Sequence, residues 1–297
     1  MSTPIVYYSY AKLNLYLDVL GRRRDGYHNI ETIFQSVSLR DTLRFTEARS
    51  GISLECSTPE LDTGEGNLAY RAAALLQNWT GCARGALIQI EKSIPIAAGL
   101  AGGSGDAATT LVALNHLWDL HLPAGHIRRL AFELGSDVPY CTIGGTMAAT
   151  RRGEEMAALA PLPRTWFVLI HPSIAVSTSR VYNSPDLTYS GEKPFAGRTR
   201  SFRAAVRALA QGNPGLAVFN RMEGPVFKDH PSLAAAKQRL LDAGCLAAAM
   251  SGSGPTIFGV CRTKSQAAKI AEALRDAPPD CRMSVVSNVP VGVERVQ

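Results

Sequence analysis

A glycine-rich stretch at residues 95–106, with the sequence PIAAGLAGGSGD, has the composition of a phosphate-binding loop. Gly99, Gly102, Gly103 and Gly105 carry no β-carbon, so we expect the backbone here to approach a ligand closely. The pattern that follows predicts a helix, whose first N–H groups and positive dipole end favour a bound anion. A simple strand-to-helix connector, the alternative interpretation, would need fewer glycines. The predicted phosphate-binding residues are Pro95, Ile96, Ala97, Ala98, Gly99, Leu100, Ala101, Gly102, Gly103, Ser104 and Gly105.

Lys12 and Asp137 are the charged residues that would complete a phosphoryl-transfer site. Lys12 lies with Asn14 on the polar face of an alternating stretch at 5–19, which predicts a half-buried strand. Taken alone, Lys12 would face water on such a strand, and Asp137 would cap a helix. Phosphoryl transfer needs a phosphate cradle, a cation and a carboxylate beside the acceptor hydroxyl. Because the chain supplies all three, the combination predicts a kinase that acts on a small molecule.

The elements predicted around these residues indicate an α+β chain. Strands are predicted at 5–19, 31–39, 42–46, 52–56 and 87–90, and helices begin at Asn67 and directly after the phosphate loop. A strand is also predicted at 145–150. Prolines at 161–163 then mark a connector, which predicts two domains, 1–162 and 163–297.

The second predicted domain has the pattern of a split βαβ, ferredoxin-like layer. Its predicted strands lie at 166–170, 246–251, 256–261 and 283–286, and its helices at 233–241 and 266–274. Residues 250–254, MSGSG, predict a second glycine turn, for which an ordinary hairpin is the alternative. Residues 189–200 are polar and predict a surface loop without a clear function.

The composition narrows the class of protein. Hydrophobic residues make up 46% of the 297 residues, which is typical of a globular chain. The six cysteines include no Cys-x-x-Cys pair, which favours reduced thiols over disulfides or a zinc site, and we assign no metal ligand. The net charge of +6 is spread along the chain, apart from 22–24, and does not predict nucleic-acid binding. The sequence shows neither a secretion signal nor an uninterrupted membrane span, so we expect a cytoplasmic protein.

Three motifs together resemble the GHMP kinase superfamily, named for galactose, homoserine, mevalonate and phosphomevalonate kinases. They are YAKLNL at 10–15, the phosphate loop at 95–106, and the glycine turn at 250–254. The resemblance implies a two-domain α+β fold. Its N-terminal ATP-binding domain would combine a β-sheet with helices, and its C-terminal domain would be a ferredoxin-like α/β sandwich. ATP with Mg²⁺ is the implied cofactor.

Further motifs resemble the branch of this superfamily that phosphorylates a cytidine-diphosphate-linked sugar alcohol. They are DGYH at 25–28, GNL at 66–68 and GSDVP at 135–139. The resemblance implies that Lys12 and Asp137 are the catalytic pair. Asp137 would accept the proton of the 2-hydroxyl of the substrate, and Lys12 would counter charge near it.

The same resemblance implies the remaining site residues by position. Asn67 and Lys92 would lie near the nucleoside of ATP. The two rings of Tyr27 and Tyr182 would stack on cytosine, since aromatic faces suit a flat base. The implied substrate-binding residues are Asn14, Tyr27, His28, Thr178 and Tyr182.

Gly105 is a departure from the family pattern, because the branch usually has a second serine where this chain has Gly105. The departure implies the loss of one hydroxyl near the phosphates or magnesium. Two alternatives therefore stay open: another kinase of the superfamily, of the homoserine or mevalonate type, or a non-catalytic relative that binds nucleotides or RNA. For the kinase we expect small-molecule substrates, no nucleic acid, no membrane, and a monomer or weak homodimer.

Overall fold

The computed structural model describes residues 3–194, 196–275 and 281–296. Its strands are β1 (Ile5–Arg22), β2 (His28–Ala48), β3 (Ile52–Cys56), β4 (Gly85–Glu91), β5 (Thr146–Arg151), β6 (Glu155–Ala158), β7 (Trp166–Pro172), β8 (Phe219–Asn220), β9 (Ala247–Met250), β10 (Ile257–Cys261), β11 (Cys281–Ser287) and β12 (Val293–Arg295). Its α-helices are α1 (Leu68–Thr80), α2 (Gly102–Leu117), α3 (Ala124–Leu134), α4 (Val138–Cys141), α5 (Thr178–Tyr182), α6 (Arg200–Ala210), α7 (Glu223–Asp229), α8 (Pro231–Asp242) and α9 (Lys264–Ala273). A short 3₁₀ turn spans Pro214–Ala217.

The first sheet is built on two long antiparallel strands, β1 and β2, which replace the three shorter strands predicted for this part of the chain. The sheet runs in the order β12-β1-β2-β4-β3, and β5, β6 and β8 pair at its sides. The register between β1 and β2 shifts at Tyr10/Ala11 and again at Asn14/Tyr16. Such bulges bend a strand and redirect its side chains. They bracket Lys12 and Asn14, the polar pair that the sequence singled out.

The prediction that β1 is half-buried is wrong, because both of its faces are covered. Ala11, Leu13 and Leu15 pack in one core cluster with Phe167 and Phe258 of the second sheet. The opposite face lies against α2 and the phosphate loop, so Lys12 and Asn14 are each only 3% exposed. A polar side chain at such a position must be hydrogen-bonded, since an unpaired buried polar group is costly.

The second sheet is fully antiparallel and runs in the order β11-β7-β10-β9, with α8 and α9 packed against it. This arrangement confirms the predicted ferredoxin-like layer. The later part of the chain also returns to the first sheet, where β8 pairs with β1 in parallel and β12 pairs with it antiparallel. The domain boundary at 162/163 stays a prediction.

Residues 189–200 form the predicted surface loop, since their described residues are exposed or partly exposed apart from Thr199. Thr199 is fully buried, and its backbone N–H donates to the buried Glu31 carboxylate at 2.7 Å. The Thr199 hydroxyl donates to the same carboxylate. The end of this loop is therefore tied to β2 through Thr199. In the ranges that the structure describes, none of the helices is long and apolar enough to cross a membrane.

Candidate active site

One cavity of about 510 Å³ gathers most of the predicted site residues. Its size suits a small ligand, since such pockets commonly measure about 300–1,000 Å³. Leu100 and Gly105 do not line it: the Leu100 side chain lies in the core, and Gly105 faces β1. The predicted residues that do line it are Lys12, Asn14, Tyr27, His28, Asn67, Lys92, Pro95, Ile96, Ala97, Ala98, Gly99, Ala101, Gly102, Gly103, Ser104, Asp137, Thr178 and Tyr182.

Lys12 is held at the centre of the cavity by two hydrogen bonds. Its ammonium donates to Asn14 Oδ1 at 2.6 Å and to the carbonyl oxygen of Gly99 at 2.9 Å. Asn14 is fixed in turn, because its Nδ2 donates to Thr32 Oγ1 at 2.8 Å. An ammonium group has three donors, so one N–H of Lys12 remains for a third group. The Asn14 amide therefore orients Lys12 in the absence of substrate.

Asp137 forms an ion pair with Lys12, and its side chain does not cap a helix. Its Oδ2 lies 3.6 Å from Lys12 Nζ, an ion pair that is just too long for a direct hydrogen bond. Although Asp137 precedes the short helix α4, its side chain accepts no capping hydrogen bond from that helix. The carboxylate is 37% exposed. An exposed, uncommitted carboxylate beside a fixed cation can accept a proton from a hydroxyl placed next to both.

Only some glycines of the phosphate loop are required by its backbone conformation. Gly99 has φ = 74°, a left-handed backbone, and an added β-carbon would lie 2.2 Å from the Ser251 carbonyl oxygen. Ala97 and Ala101 also adopt positive φ, at 51° and 59°. A β-carbon on Gly103 would meet nothing closer than 3.9 Å, so Gly103 leaves room for a ligand. The loop then ends at α2, whose first turn offers backbone N–H groups to an anion.

The glycine turn at 250–254 packs directly on the phosphate loop. It is therefore part of the site and not the ordinary hairpin of the alternative interpretation. Ser251 Oγ donates to the Gly99 carbonyl at 2.9 Å, the same oxygen that accepts from Lys12. Asn220 holds the turn from behind, because its Nδ2 donates to the carbonyl oxygens of Met250 and Gly252, both at 2.7 Å. The three motifs of the sequence therefore meet around one carbonyl oxygen.

Asn67 and Lys92 line the cavity with side chains that are already engaged. Asn67 caps α1, because its Oδ1 accepts from the Ala69 N–H at 2.9 Å. Lys92 Nζ lies between two buried carboxylates, 2.5 Å from Asp41 and 2.7 Å from Asp106. Burial opposes its charge, but the carboxylates of Asp106 and Asp41 outweigh that cost and raise the pKa of Lys92. In Asp106, burial raises the pKa of the carboxyl group.

At the other end of the cavity, the predicted base-binding residues lie together. The His28 ring stacks on Tyr182, with centroids 4.9 Å apart, and its Nε2 lies 3.4 Å from the Tyr189 hydroxyl. Burial, together with the charge of Arg22, lowers the pKa of His28, which favours a neutral ring. Tyr27 is 51% exposed, so its side chain is accessible to a ligand in the cavity.

Thr178 belongs to the same end of the cavity as these rings. Its Oγ1 lies 2.7 Å from Ser253 Oγ, which links α5 to the glycine turn. Burial, and then the charge of Asp137, raises the pKa of Tyr182. Tyr182 lines the same cavity as Lys12 and Asp137.

The missing serine at position 105 has a structural explanation that corrects the expected loss of a phosphate-binding hydroxyl. Gly105 is buried in α2 and faces Ser9 of β1, away from the cavity. A second serine here would therefore not have reached a ligand. Ser104, by contrast, lines the cavity and keeps its hydroxyl at the phosphate loop.

Sequence reasoning missed Arg152, Asp41 and Asn220. Arg152 lines the cavity and lies over the Tyr27 ring, Asp41 pairs with Lys92, and Asn220 supports the glycine turn. None of these residues belongs to a motif. Asp41 alone could have been noticed in the sequence, because it stands at an apolar position of the alternating pattern of β2.

Comparison with known families agrees with this arrangement. The family described as "GHMP kinases N terminal domain" matches residues 67–145, and "GHMP kinases C terminal" matches residues 196–280. Together with the two sheets and the loop cavity, these matches define a GHMP kinase. That class is shared by enzymes with different substrates, so the nearer relatives decide the branch.

Those relatives are "4-diphosphocytidyl-2-C-methyl-D-erythritol kinase" of Moorella thermoacetica and of a Synechococcus species. The first is 46% identical, over 92% of this chain and 95% of the relative. The second is 41% identical, over 95% of this chain and 93% of the relative. The chain belongs to the 4-diphosphocytidyl-2-C-methyl-D-erythritol kinase family, whose members are ATP-dependent phosphotransferases.

Solved structures show the same relationship. A crystal structure of 4-(cytidine 5'-diphospho)-2C-methyl-D-erythritol kinase superposes with a TM-score of 0.79 at 36% identity, covering 95% of this chain and 98% of that one. A homoserine kinase from Cytophaga hutchinsonii superposes with a TM-score of 0.76 at only 19% identity, over 100% of this chain and 98% of that one. The second likeness concerns the fold alone.

Proposed function

We propose that this protein transfers the γ-phosphoryl group of ATP to the 2-hydroxyl of 4-(cytidine-5′-diphospho)-2-C-methyl-D-erythritol, an intermediate of the non-mevalonate isoprenoid pathway. The observation that carries the proposal is the Lys12–Asp137 pair beside the phosphate loop, in one cavity with Tyr27, His28 and Tyr182. The names of its relatives at 41–46% identity support the same substrate.

In this proposal Asp137 is the general base and Lys12 the charge-stabilising group. A hydroxyl placed beside both groups, whose Nζ and Oδ2 atoms lie 3.6 Å apart, would donate its proton to Asp137 Oδ2. Its oxygen would then bond to the γ-phosphorus while the bond to the bridging oxygen breaks, releasing ADP. Lys12, held by Asn14 and the Gly99 carbonyl, cannot swing away and so stabilises the developing charge without reorganisation.

Backbone groups hold the donor phosphates in this proposal. The N–H groups of the loop and of the first turn of α2 would bind them, with Gly103 leaving open space. Asn67 and Lys92 would border the nucleoside of ATP through their positions at the cavity wall. Their side chains serve mainly to hold α1 and the loop in place, since both are already bonded within the protein.

Mg²⁺ would accompany ATP, and the residues at the loop fit such an ion. Ser104 offers a hydroxyl at the cavity, and Asp106 Oδ1 is buried without a hydrogen-bond partner among the described residues. Hydroxyl and carboxylate oxygens suit Mg²⁺, which binds mainly through phosphates and water. Ser104 and Asp106 would hold the ion, which neutralises charge on the phosphates. Within the described ranges, no cluster of three His, Cys, Asp or Glu side chains would bind a metal by itself.

The acceptor would lie with its cytosine between the aromatic residues at the far end of the cavity. Tyr27 and Tyr182 offer ring faces, His28 a neutral imidazole, and Thr178 a hydroxyl. The absence of nucleic-acid binding, a monomer or weak homodimer, and a cytoplasmic location remain predictions of this proposal.

A coupled assay of ADP release tests the proposal directly. The purified protein is supplied with ATP, Mg²⁺ and, in separate reactions, the cytidine-diphosphate-linked substrate, homoserine or mevalonate. We expect ADP release only with the cytidine-linked substrate. Faster turnover of homoserine or mevalonate would contradict the assignment. A protein that binds nucleotides but releases no ADP in any reaction would favour the non-catalytic alternative.

A further inference from the structure

Arg152 is placed where the topology brings two turns together. It directly follows β5, whose last residue, Arg151, pairs with Ile30 near the start of β2. The turn between β1 and β2, which carries Tyr27, therefore lies beside the turn between β5 and β6. Through this adjacency the Arg152 guanidinium reaches the Tyr27 ring, and both residues line the cavity.

The guanidinium group of Arg152 contacts aromatic faces and leaves its donors free. Its central carbon lies 3.5 Å from the centroid of the Tyr27 ring and 5.2 Å from that of Phe132. Such contacts use the flat face of the guanidinium, whereas its N–H groups point outward in its plane. Arg152 Nε is buried and has no acceptor among the described residues.

The nearby carboxylates are engaged elsewhere. Asp25 is paired with Arg23 at 3.0 Å, and Glu154 accepts the backbone N–H of Arg152 at 2.7 Å. No ion pair joins the Arg152 side chain to a carboxylate in the part of the chain that the structure describes. A guanidinium with a buried, unpaired donor is costly unless a ligand or water completes its hydrogen bonds.

The other cations that line the cavity are already balanced by the protein. Lys12 faces Asp137, and Lys92 lies between Asp41 and Asp106. His28 favours the neutral form. Asp25 is close enough to Arg152 to interact with it electrostatically, but its carboxylate pairs with Arg23. Among the described lining residues, Arg152 is therefore the permanent cation whose side chain forms no ion pair with the protein.

We infer that Arg152 binds the diphosphate of the acceptor nucleotide, an inference that rests on the proposed function. A diphosphate attached to a base at Tyr27 is separated from that ring only by a ribose. The in-plane N–H groups of arginine match phosphate oxygens in pairs, which makes this the strongest type of hydrogen bond available to the side chain. The ring contact holds the guanidinium in position before the ligand arrives, so less entropy is lost on binding.

Calorimetric titration with CDP and with cytidine tests this role, because the two ligands differ only in the diphosphate. Arg152→Gln should weaken CDP binding by about 10-fold or more and leave cytidine binding within about 2-fold. Arg152→Lys, which keeps the charge but loses the planar donors, should lose less CDP affinity than Arg152→Gln. The matched control is Arg151→Gln, since Arg151 is exposed and paired with Glu155 outside the cavity. It should change neither affinity.

Two results would overturn the inference: equal losses of CDP and cytidine affinity in Arg152→Gln, or unchanged CDP affinity in that variant. Thermal unfolding of each variant establishes that it is folded, and Arg152→Lys provides the comparison if Arg152→Gln is not. Failure of the proposed function is a separate outcome, in which the unaltered protein neither binds CDP nor releases ADP with the cytidine-linked substrate.

Discussion

A β-carbon on Gly105 would lie 2.5 Å from Oγ of Ser9. Helix α2 and strand β1 are therefore in close contact at these two residues. Ser9 is fully buried, and its hydroxyl has no hydrogen-bond partner among the described residues. The two positions therefore depend on each other. The hydroxyl of Ser9 occupies the space that a second serine of the loop would need.

Gly105→Ser should consequently destabilise the protein, whereas the same change in a Ser9→Ala background should not. Overpacking a tight contact costs about 1–3 kcal/mol, and removing the Ser9 hydroxyl provides the space for the new side chain. Urea unfolding of both single variants and the double variant measures the coupling. An unfolding free energy of Gly105→Ser equal to that of the unaltered protein would show that the contact relaxes without cost.

Asp137→Asn should lower kcat by about 100-fold or more and leave stability almost unchanged. The amide cannot accept the proton of the hydroxyl, and general-base catalysis is worth about 10²–10⁴-fold. Because Asp137 caps no helix and its ion pair is long and partly exposed, the unfolding free energy should change by less than about 0.5 kcal/mol. Single-turnover kinetics and urea unfolding provide the two measurements.

The matched control for this change is Asp229→Asn. Asp229 forms a similarly long ion pair, 3.8 Å from Arg180, and does not line the cavity. Its kcat should stay normal. Near-normal turnover of Asp137→Asn would show that Asp137 is not the general base, irrespective of the result for Asp229→Asn.

The sequence predicted the centre of this site because short motifs carry it. Backbone glycines, Lys12 and Asp137 each lie in a recognisable local pattern, and the chain brings these patterns together around the Gly99 carbonyl. Helix α1 was likewise predicted from Asn67, since a cap and an apolar period are local signals.

What the sequence could not predict depends on contacts between distant segments. The burial of Lys12 follows from α2 and the phosphate loop, which cover the polar face of β1, whereas the alternation of this strand alone predicted that this face would be solvent-exposed. The pairing of Lys92 with Asp41 joins residues 51 positions apart, and the contact of Arg152 with Tyr27 joins two separate turns. Residue types at these positions have no fixed spacing, so no local pattern indicates them.

Asn220→Ala should reduce both stability and kcat. The Asn220 amide donates to the carbonyl oxygens of Met250 and Gly252, and its loss leaves two carbonyl groups without that donor. Removal of a buried hydrogen-bond partner costs about 1–3 kcal/mol. Gly252 lies close to the catalytic lysine, because a β-carbon at Gly252 would be only 3.3 Å from Lys12 Nζ. A less rigid glycine turn should therefore also disturb Lys12.

Asn213→Ala, at an exposed position, is the control that should change neither stability nor kcat. Unaltered stability and kcat in Asn220→Ala would contradict this supporting role.

We expect the buried side chain of His171 to make the protein less stable in mild acid. Burial, with a contribution from Arg282, lowers its pKa from 6.5 to about 4, and its ring nitrogens lie 3.2 Å from Thr256 Oγ1 and Ser284 Oγ. Between about pH 6.5 and pH 4 the unfolded chain binds a proton that the native state does not. The native state is therefore penalised as the pH falls, by up to about 3 kcal/mol.

Urea unfolding at several pH values measures this contribution. His171→Gln, which keeps polar groups but does not titrate, should lose the part of the pH dependence that lies in this window. His126→Gln, at an exposed position, should retain it. Identical pH profiles for His171→Gln and the unaltered protein would contradict the assignment.

Lys92→Met distinguishes a structural lysine from one that mainly binds the nucleoside of ATP. The variant leaves the buried carboxylates of Asp41 and Asp106 without their shared cation. Breaking a buried pair in this way costs about 3–5 kcal/mol, whereas Lys228→Met, which breaks an exposed pair with Asp186, should cost less than about 1 kcal/mol. Urea unfolding compares the two variants, and the KM for ATP is measured on each. Normal stability of Lys92→Met together with a raised KM would instead assign Lys92 to the nucleoside, because a ligand contact affects binding without supporting the fold.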